Sequence, residues 1–156
     1  MVADINKNTR KIGKIKNIAL VAHDAKKPDI LEWAEFNKER LQKHNLWATG
    51  TTGKMLEKRL GLEINKLKSG PMGGDQQLGA MIADGLLDLV IFLTSGLESH
   101  AHASDINALV RISSVYSIPI ACNKSTADFI ISSPLFDEEY EIQLTDYSDY
   151  IHRFDK

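Results

Sequence analysis

Leu86-Leu87-Asp88-Leu89-Val90-Ile91-Phe92-Leu93 is the most apolar run of the chain, with Asp88 its single polar interruption. A strand with one wet face would alternate apolar and polar residues. This run does not alternate, so it reads as a central strand of a parallel sheet covered on both faces. Upstream, residues 17–23 and 46–50 read as strands, and residues 62–67 alternate as a half-buried strand does. Between them fall two helical segments. Residues 27–44 start beside Pro28 and place Leu31, Trp33, Ala34, Phe36 and Leu41 at roughly helical spacing, whereas residues 52–60 are stopped by Gly61. Residues 76–83 are a further helix, closed by Gly85. Downstream, residues 105–116 carry Ile106, Leu109, Val110 and Ile112 on a helical pattern. Residues 118–122 follow as a buried strand, 126–131 as a short helix, 140–144 as a last strand and 147–156 as a polar, aromatic-bearing tail. Short apolar strands alternating with helices are the signature of βαβ units. The expectation is one doubly wound α/β domain with a mostly parallel five-stranded sheet and helices on both faces.

At 156 residues and 43% hydrophobic composition the chain fills one such domain and leaves no room for a second. Residues 1–16 read as a polar N-terminal extension and 17–156 as the domain. The formal net charge is -2, from 19 basic and 21 acidic residues well mixed along the chain, so no basic face calls for nucleic acid. A small ligand is the expected partner. The single cysteine, Cys122, excludes a disulfide framework within the chain, fits a reducing compartment, and reads as a small buried hydrophobe. The opening residues are polar and basic without an apolar core segment, and no apolar run reaches membrane-spanning length. A cytoplasmic protein with no membrane association is expected.

In doubly wound sheets, ligands bind beyond the carboxyl ends of the strands. The chemistry-bearing residues of this chain fall at those places. His23, Asp24 and Lys27 follow the first strand, and Thr49-Gly50-Thr51-Thr52-Gly53 follows the second. Ser69-Gly70-Pro71-Met72-Gly73-Gly74-Asp75-Gln76-Gln77 follows the third. Ser95, His100, His102 and Asp105 follow the central strand, and Asn123, Lys124, Ser125 and Thr126 follow the fifth. Glycine lets main-chain N–H groups approach an anion closely, and a helix N-terminus adds a positive dipole end that favours phosphate. The loop of residues 69–77 has both features, and its Asp75 is either a helix cap or a catalytic base. Thr49, Gly50, Thr51 and Thr52 offer hydroxyls and N–H groups suited to phosphate oxygens, with helix capping as the alternative. ATP binding is rejected, because the Gly-x-x-x-x-Gly-Lys-Ser/Thr spacing is absent and Met55 follows Lys54. Lys27 can neutralise a phosphate or remain a solvated surface lysine. His23, His100 and His102 lack a Cys or Glu partner at metal-ligand spacing, so no metal is expected.

These residues resemble the methylglyoxal synthase family, from about residue 17 to about residue 150. The resemblance is carried by Ala19-Leu20-Val21-Ala22-His23-Asp24 with Lys27, by Ala48-Thr49-Gly50-Thr51-Thr52-Gly53 and by the loop of residues 69–77. His102 with Asp105 and Thr126-Ala127-Asp128-Phe129-Ile130-Ile131 complete it. The family converts dihydroxyacetone phosphate to methylglyoxal and inorganic phosphate without metal or organic cofactor, on a Rossmann-like fold, typically as a homohexamer. The resemblance implies that Asp75 is the proton-abstracting base and that Lys27, the loop of residues 49–52, Ser69 and Gly70 hold the phosphate. It also implies that His23 and His102 contact the carbonyl and hydroxyl end, and that Asp105 supports proton movement. A carboxylate to take the carbon-bound proton and a donor to stabilise the enediolate are what that reaction needs. The same fold also serves as a non-catalytic module binding phosphorylated ligands, and a lyase acting on another small phosphorylated ketose is a third reading. Three departures stand against the family pattern. Ser95 takes the place of an expected carboxylate, Ala103-Ser104 replaces an Asp-Pro pair, and Phe154 stands where an arginine is expected, one residue after Arg153.

Overall fold

The computed structural model describes residues 9–97 and 103–155, without the side chains of residues 103–105. The chain runs through β1 (Thr9–Ile12), β2 (Asn17–Ala22), α1 (Lys27–Phe36), the one-turn α2 (Lys38–Leu41), β3 (Asn45–Thr49), α3 (Gly50–Leu60) and β4 (Asn65–Leu67). It continues through α4 (Gly74–Ala83), β5 (Leu89–Leu93), α5 (Ala103–Val115), β6 (Ile120–Ala121), α6 (Lys124–Ser132), β7 (Tyr140–Gln143) and α7 (Ser148–Ile151). Five strands pair in the order β4-β3-β2-β5-β6, every neighbouring pair parallel. The expected α/β sheet with helices on both faces is the fold observed.

Side-chain alternation divides the core into two layers. Ile18, Leu20, Ala22, Leu89, Ile91 and Leu93 pack toward α1, α3 and α6, joined by Trp33, Leu56 and Ile131. Ala19, Val21, Val90 and Phe92 point the other way, toward Leu78 and Ile82 of α4 and Leu109 of α5. Every residue of β5 is buried, which is why its sequence does not alternate.

Two departures from the sequence reading have local causes. The helix of residues 27–44 is interrupted at Asn37, whose side-chain amide donates to Trp33 O at 2.8 Å, a local bond that competes with helix continuation. The last strand, β7, leaves the main sheet and pairs antiparallel with β1, so Thr9–Ile12, counted above within the polar extension, is part of the folded domain. Arg10 fastens this ribbon to the main sheet. Its guanidinium donates to Gly85 O at 2.8 Å, Leu87 O at 3.2 Å and Asp88 Oδ1 at 2.6 Å. Asp88 in turn accepts the Asn17 N–H at 2.7 Å, so the one polar residue of the apolar run ties β1 to the starts of β2 and β5. Ile12, Ile142 and Leu144 then complete the α4–α5 layer. Among the described residues no helix is long and apolar enough to cross a membrane.

Candidate active site

The order β4-β3-β2-β5-β6 reverses direction between β2 and β5, and a crevice opens beyond the carboxyl ends of strands at such a reversal. A cleft of about 230 Å³ lies at that place, lined by His23, Asp24, Lys27, Thr49, Thr51, Thr52, Ser69, Gly70, Pro71, Asp75 and Phe92. Three separate strand-end loops therefore converge on one volume, as the strand-end rule predicts. It is smaller than the 300–1,000 Å³ of drug-sized pockets, which suits a ligand of few atoms.

Glycine is required where the two loops touch, at Gly50, and where the second loop folds back on itself, at Gly74. A Cβ on Gly50 would lie 2.9 Å from Ser69 N, and one on Gly74 would lie 2.1 Å from Lys68 O. The loop of residues 69–77 is further closed by Gly74 N–H donating to Ser69 O at 2.9 Å and Met72 N–H donating to the same oxygen at 3.0 Å. Gln77 Oε1 accepts the Lys68 N–H at 2.8 Å and pins the entry of the loop to the first turns of α4. Gln77 stood in the quoted motif, but nothing in sequence distinguishes a glutamine that braces a loop from one that faces water.

Asp75 is not the helix cap. Gly73 occupies the N-cap position of α4, Asp75 falls in the first helical turn, and its side chain is buried against the cleft. The helix macrodipole at that end favours a negative charge. Thr49 does stand at the N-cap position of α3, yet its side chain makes no capping bond and is buried. The N-termini of α3 and α4 thus both meet the cleft without a side-chain capping bond from their N-cap residues, Thr49 and Gly73. That is a setting for an anion's oxygens.

Lys27 is largely buried rather than solvated, and its ammonium donates to Asp24 Oδ1 at 2.6 Å and to Ala22 O at 3.4 Å. His23 is buried at the end of β2, where its ring stands edge-on to Phe92 with centroids 5.2 Å apart. The Ser95 main-chain N–H donates to His23 Nδ1 at 2.8 Å, and the His23 N–H donates to Leu93 O at 3.1 Å. The sequence places Ser95 at this rim but does not reveal its main-chain bond to His23, and it does not single out Phe92, whose parity as the last residue of β5 facing the α4 side is the signal that finds it. His100 and His102 lie outside the described residues. Asp105 lies in the first turn of α5, and its side chain is outside the description. Among the described residues no cluster of three or more His, Cys, Asp or Glu is placed to hold a metal ion. Burial pushes the Cys122 thiol up from its ordinary pKa, which keeps it protonated and unreactive near neutrality.

The family model described as MGS-like domain matches residues 29–122. A methylglyoxal synthase from Vibrio campbellii is 50% identical over 147 residues, covering 94% of this chain and 97% of that protein. One from Erwinia tasmaniensis is 47% identical over 149 residues, covering 96% and 98%. The crystal structure of methylglyoxal synthase from Elizabethkingia anophelis NUHP1 superposes with a TM-score of 0.88 at 48% identity, covering 93% of this chain and 95% of that one. Sequence identity over almost the full length and the overall superposition agree: the chain belongs to the methylglyoxal synthase family.

Proposed function

We propose that this protein converts dihydroxyacetone phosphate to methylglyoxal and inorganic phosphate, with no metal or organic cofactor. The observation that carries the reading is the buried Asp75 carboxylate beside two helix N-termini, within one small cleft shared with Lys27 and His23. The phosphate sits against Thr49, Gly50, Thr51, Thr52, Ser69 and Gly70, with Lys27 supplying positive charge.

Asp75 takes a proton from the hydroxymethyl carbon next to the carbonyl, and the C–H electron pair becomes the double bond of an enediolate. His23 and, by family resemblance, His102 donate to its oxygens, with Asp105 supporting proton movement. The enediolate electrons then expel phosphate from the other carbon, and the released enol takes up a proton at its methylene to become methylglyoxal. Elimination needs the C–O bond turned out of the enediolate plane. The phosphate grip therefore sets orientation as well as affinity.

The test is metal-free turnover of dihydroxyacetone phosphate by the purified protein, following methylglyoxal and phosphate together, with Asp75→Asn alongside. Both products are expected, with kcat reduced about 10²–10⁴-fold in the variant while phosphate still binds. Tight binding of a phosphorylated enediolate mimic without turnover would instead establish a binding module or a different phosphorylated ketose. As part of the same reading, the protein is cytoplasmic and assembles as a homohexamer.

A further inference from the structure

We infer that Ser95, through its main chain, is a positioning residue that fixes the protonation of His23. It holds the imidazole as the neutral Nε2–H tautomer, so that His23 enters the reaction as a hydrogen-bond donor and not as a base. The Ser95 N–H donates to His23 Nδ1 at 2.8 Å, and a nitrogen that accepts a hydrogen bond carries a lone pair, not a proton. The proton of the neutral ring is then on Nε2. What Nε2 offers any neighbour is an N–H.

The ring has little freedom to escape this arrangement. It is buried, it stands against the edge of Phe92, and its own main chain is tied to Leu93 O, two residues before Ser95. β2 and β5 are paired in register up to Ala22 and Leu93, so the imidazole and the N–H that restrains it lie one and two residues beyond the ends of adjacent strands of the same sheet. The ionisable side chains lining the same cleft are Asp24 and Lys27 from the segment after β2 and Asp75 from α4; β3 contributes the neutral Thr49 and β5 the apolar Phe92. With His23 committed as a donor, the bases that the described part of the cleft supplies are two carboxylates: Asp24, exposed and bound to the Lys27 ammonium at 2.6 Å, and the buried Asp75.

The contact also gives the Ser95 departure a meaning. A side chain that differs from the family's expected carboxylate leaves a main-chain N–H in place, so this restraint does not depend on the residue type at position 95. Proline is the one natural exception, because it has no N–H.

The catalytic meaning of this inference rests on the proposed lyase reading, whereas the tautomer itself does not. The test is long-range ¹H–¹⁵N correlation of the imidazole nitrogens in the ligand-free protein, with the His23 signals assigned by their loss in His23→Gln. The expected result is a neutral Nε2–H ring in the wild type and in Ser95→Ala. Ser95→Pro should shift the signals toward a tautomer mixture, and kcat/KM for dihydroxyacetone phosphate should fall about tenfold, the worth of one buried hydrogen bond. If Ser95→Pro does not fold, replacement of the residue 95 amide by an ester removes the same N–H and leaves the serine side chain. An Nδ1–H ring in the wild type, or a signature unmoved when the N–H is removed, overturns the inference. A locked Nε2–H ring in a protein without turnover would support the inference and count against the lyase reading.

Discussion

Asp75 illustrates how one residue type can satisfy two local rules that only geometry separates. An aspartate at the start of a helix is commonly its N-cap. Here Gly73 takes the cap position, which moves Asp75 into the first turn and sends its carboxylate toward the cleft. Gly74 permits that shift, since any Cβ there would run into Lys68 O at 2.1 Å, a main-chain atom that cannot rotate away. Gly74→Ala is therefore expected to destabilise the fold by roughly 1–3 kcal/mol, the range for overpacking, and to lower phosphate affinity by displacing the loop of residues 69–77. Urea unfolding and phosphate titration of the variant check both parts; a variant with wild-type stability and affinity would show that the loop relaxes freely.

At the scale of elements, two polar clusters hold the end of the sheet opposite the cleft. Arg10 and Asp88 form a largely buried pair at 2.6 Å that joins β1 to the main sheet. Removing one partner of a buried pair strands the other, so Arg10→Ala should cost about 2–4 kcal/mol in urea unfolding and detach the β1–β7 ribbon. Hydrogen exchange should then rise first in residues 9–12 and 140–143. His44 organises the second cluster. Its Nδ1 accepts the Lys16 N–H at 2.9 Å, and its Nε2 faces Asp137 Oδ1 at 3.1 Å, where Arg40 also binds Asp137 Oδ2 at 3.0 Å.

Burial pushes His44 below its ordinary pKa of 6.5 despite the hydrogen bond and charge of Asp137, and nearby Lys16 and Lys43 act in the same direction as burial. A histidine whose folded pKa lies below its unfolded one binds fewer protons in the native state. Its linkage therefore costs nothing above pH 6.5, and stability falls as the pH drops through 6.5 toward the folded value. Burial tends to raise Asp137, but hydrogen bonds from Arg40 and His44 outweigh it and hold the carboxyl below the usual range. The stability from Asp137 is thus lost only at lower pH, as its folded pKa is passed. Urea midpoints measured between about pH 7 and pH 5 should fall for the wild type and vary less for His44→Ala. Equal slopes would remove His44 from the cause.

On the scale of the whole molecule, the proposed homohexamer is the property most open to direct measurement. Light scattering on a size-exclusion column should give six times the chain mass at micromolar concentration, and a monomer would count against the assembly. Arg153 stands one residue before the position where the family resemblance leads one to expect an arginine. Its guanidinium lies over the Tyr150 ring at 3.8 Å and the Phe154 ring at 4.7 Å, and donates to Tyr150 O at 2.6 Å. Within one chain it is thus engaged by its own C-terminal segment.

Much of the fold was legible because β5 needs no context: a run without alternation can be satisfied only by burial on both faces. The strand ends were legible for a related reason, since a doubly wound sheet leaves polar loops at one rim and the sequence places His23, Thr49–Thr52 and Ser69–Asp75 there. β1 was not legible. Thr9-Arg10-Lys11-Ile12 is polar by composition, and its pairing partner β7 lies more than a hundred residues away. The same holds for the brace from Gln77, for the choice of Gly73 over Asp75 as the cap, and for the bond from Ser95 to His23. The α/β class, the rim where polar loops gather and the family are legible in the chain alone, because periodicity, loop composition and ordered motifs are properties of the chain. The bracing role of Gln77 and the hydrogen bond from Ser95 to His23 emerge with the fold, because each joins segments that meet only once the sheet is assembled, and the placing of Gly73 at the cap position follows from the turn that residues 69–74 make there.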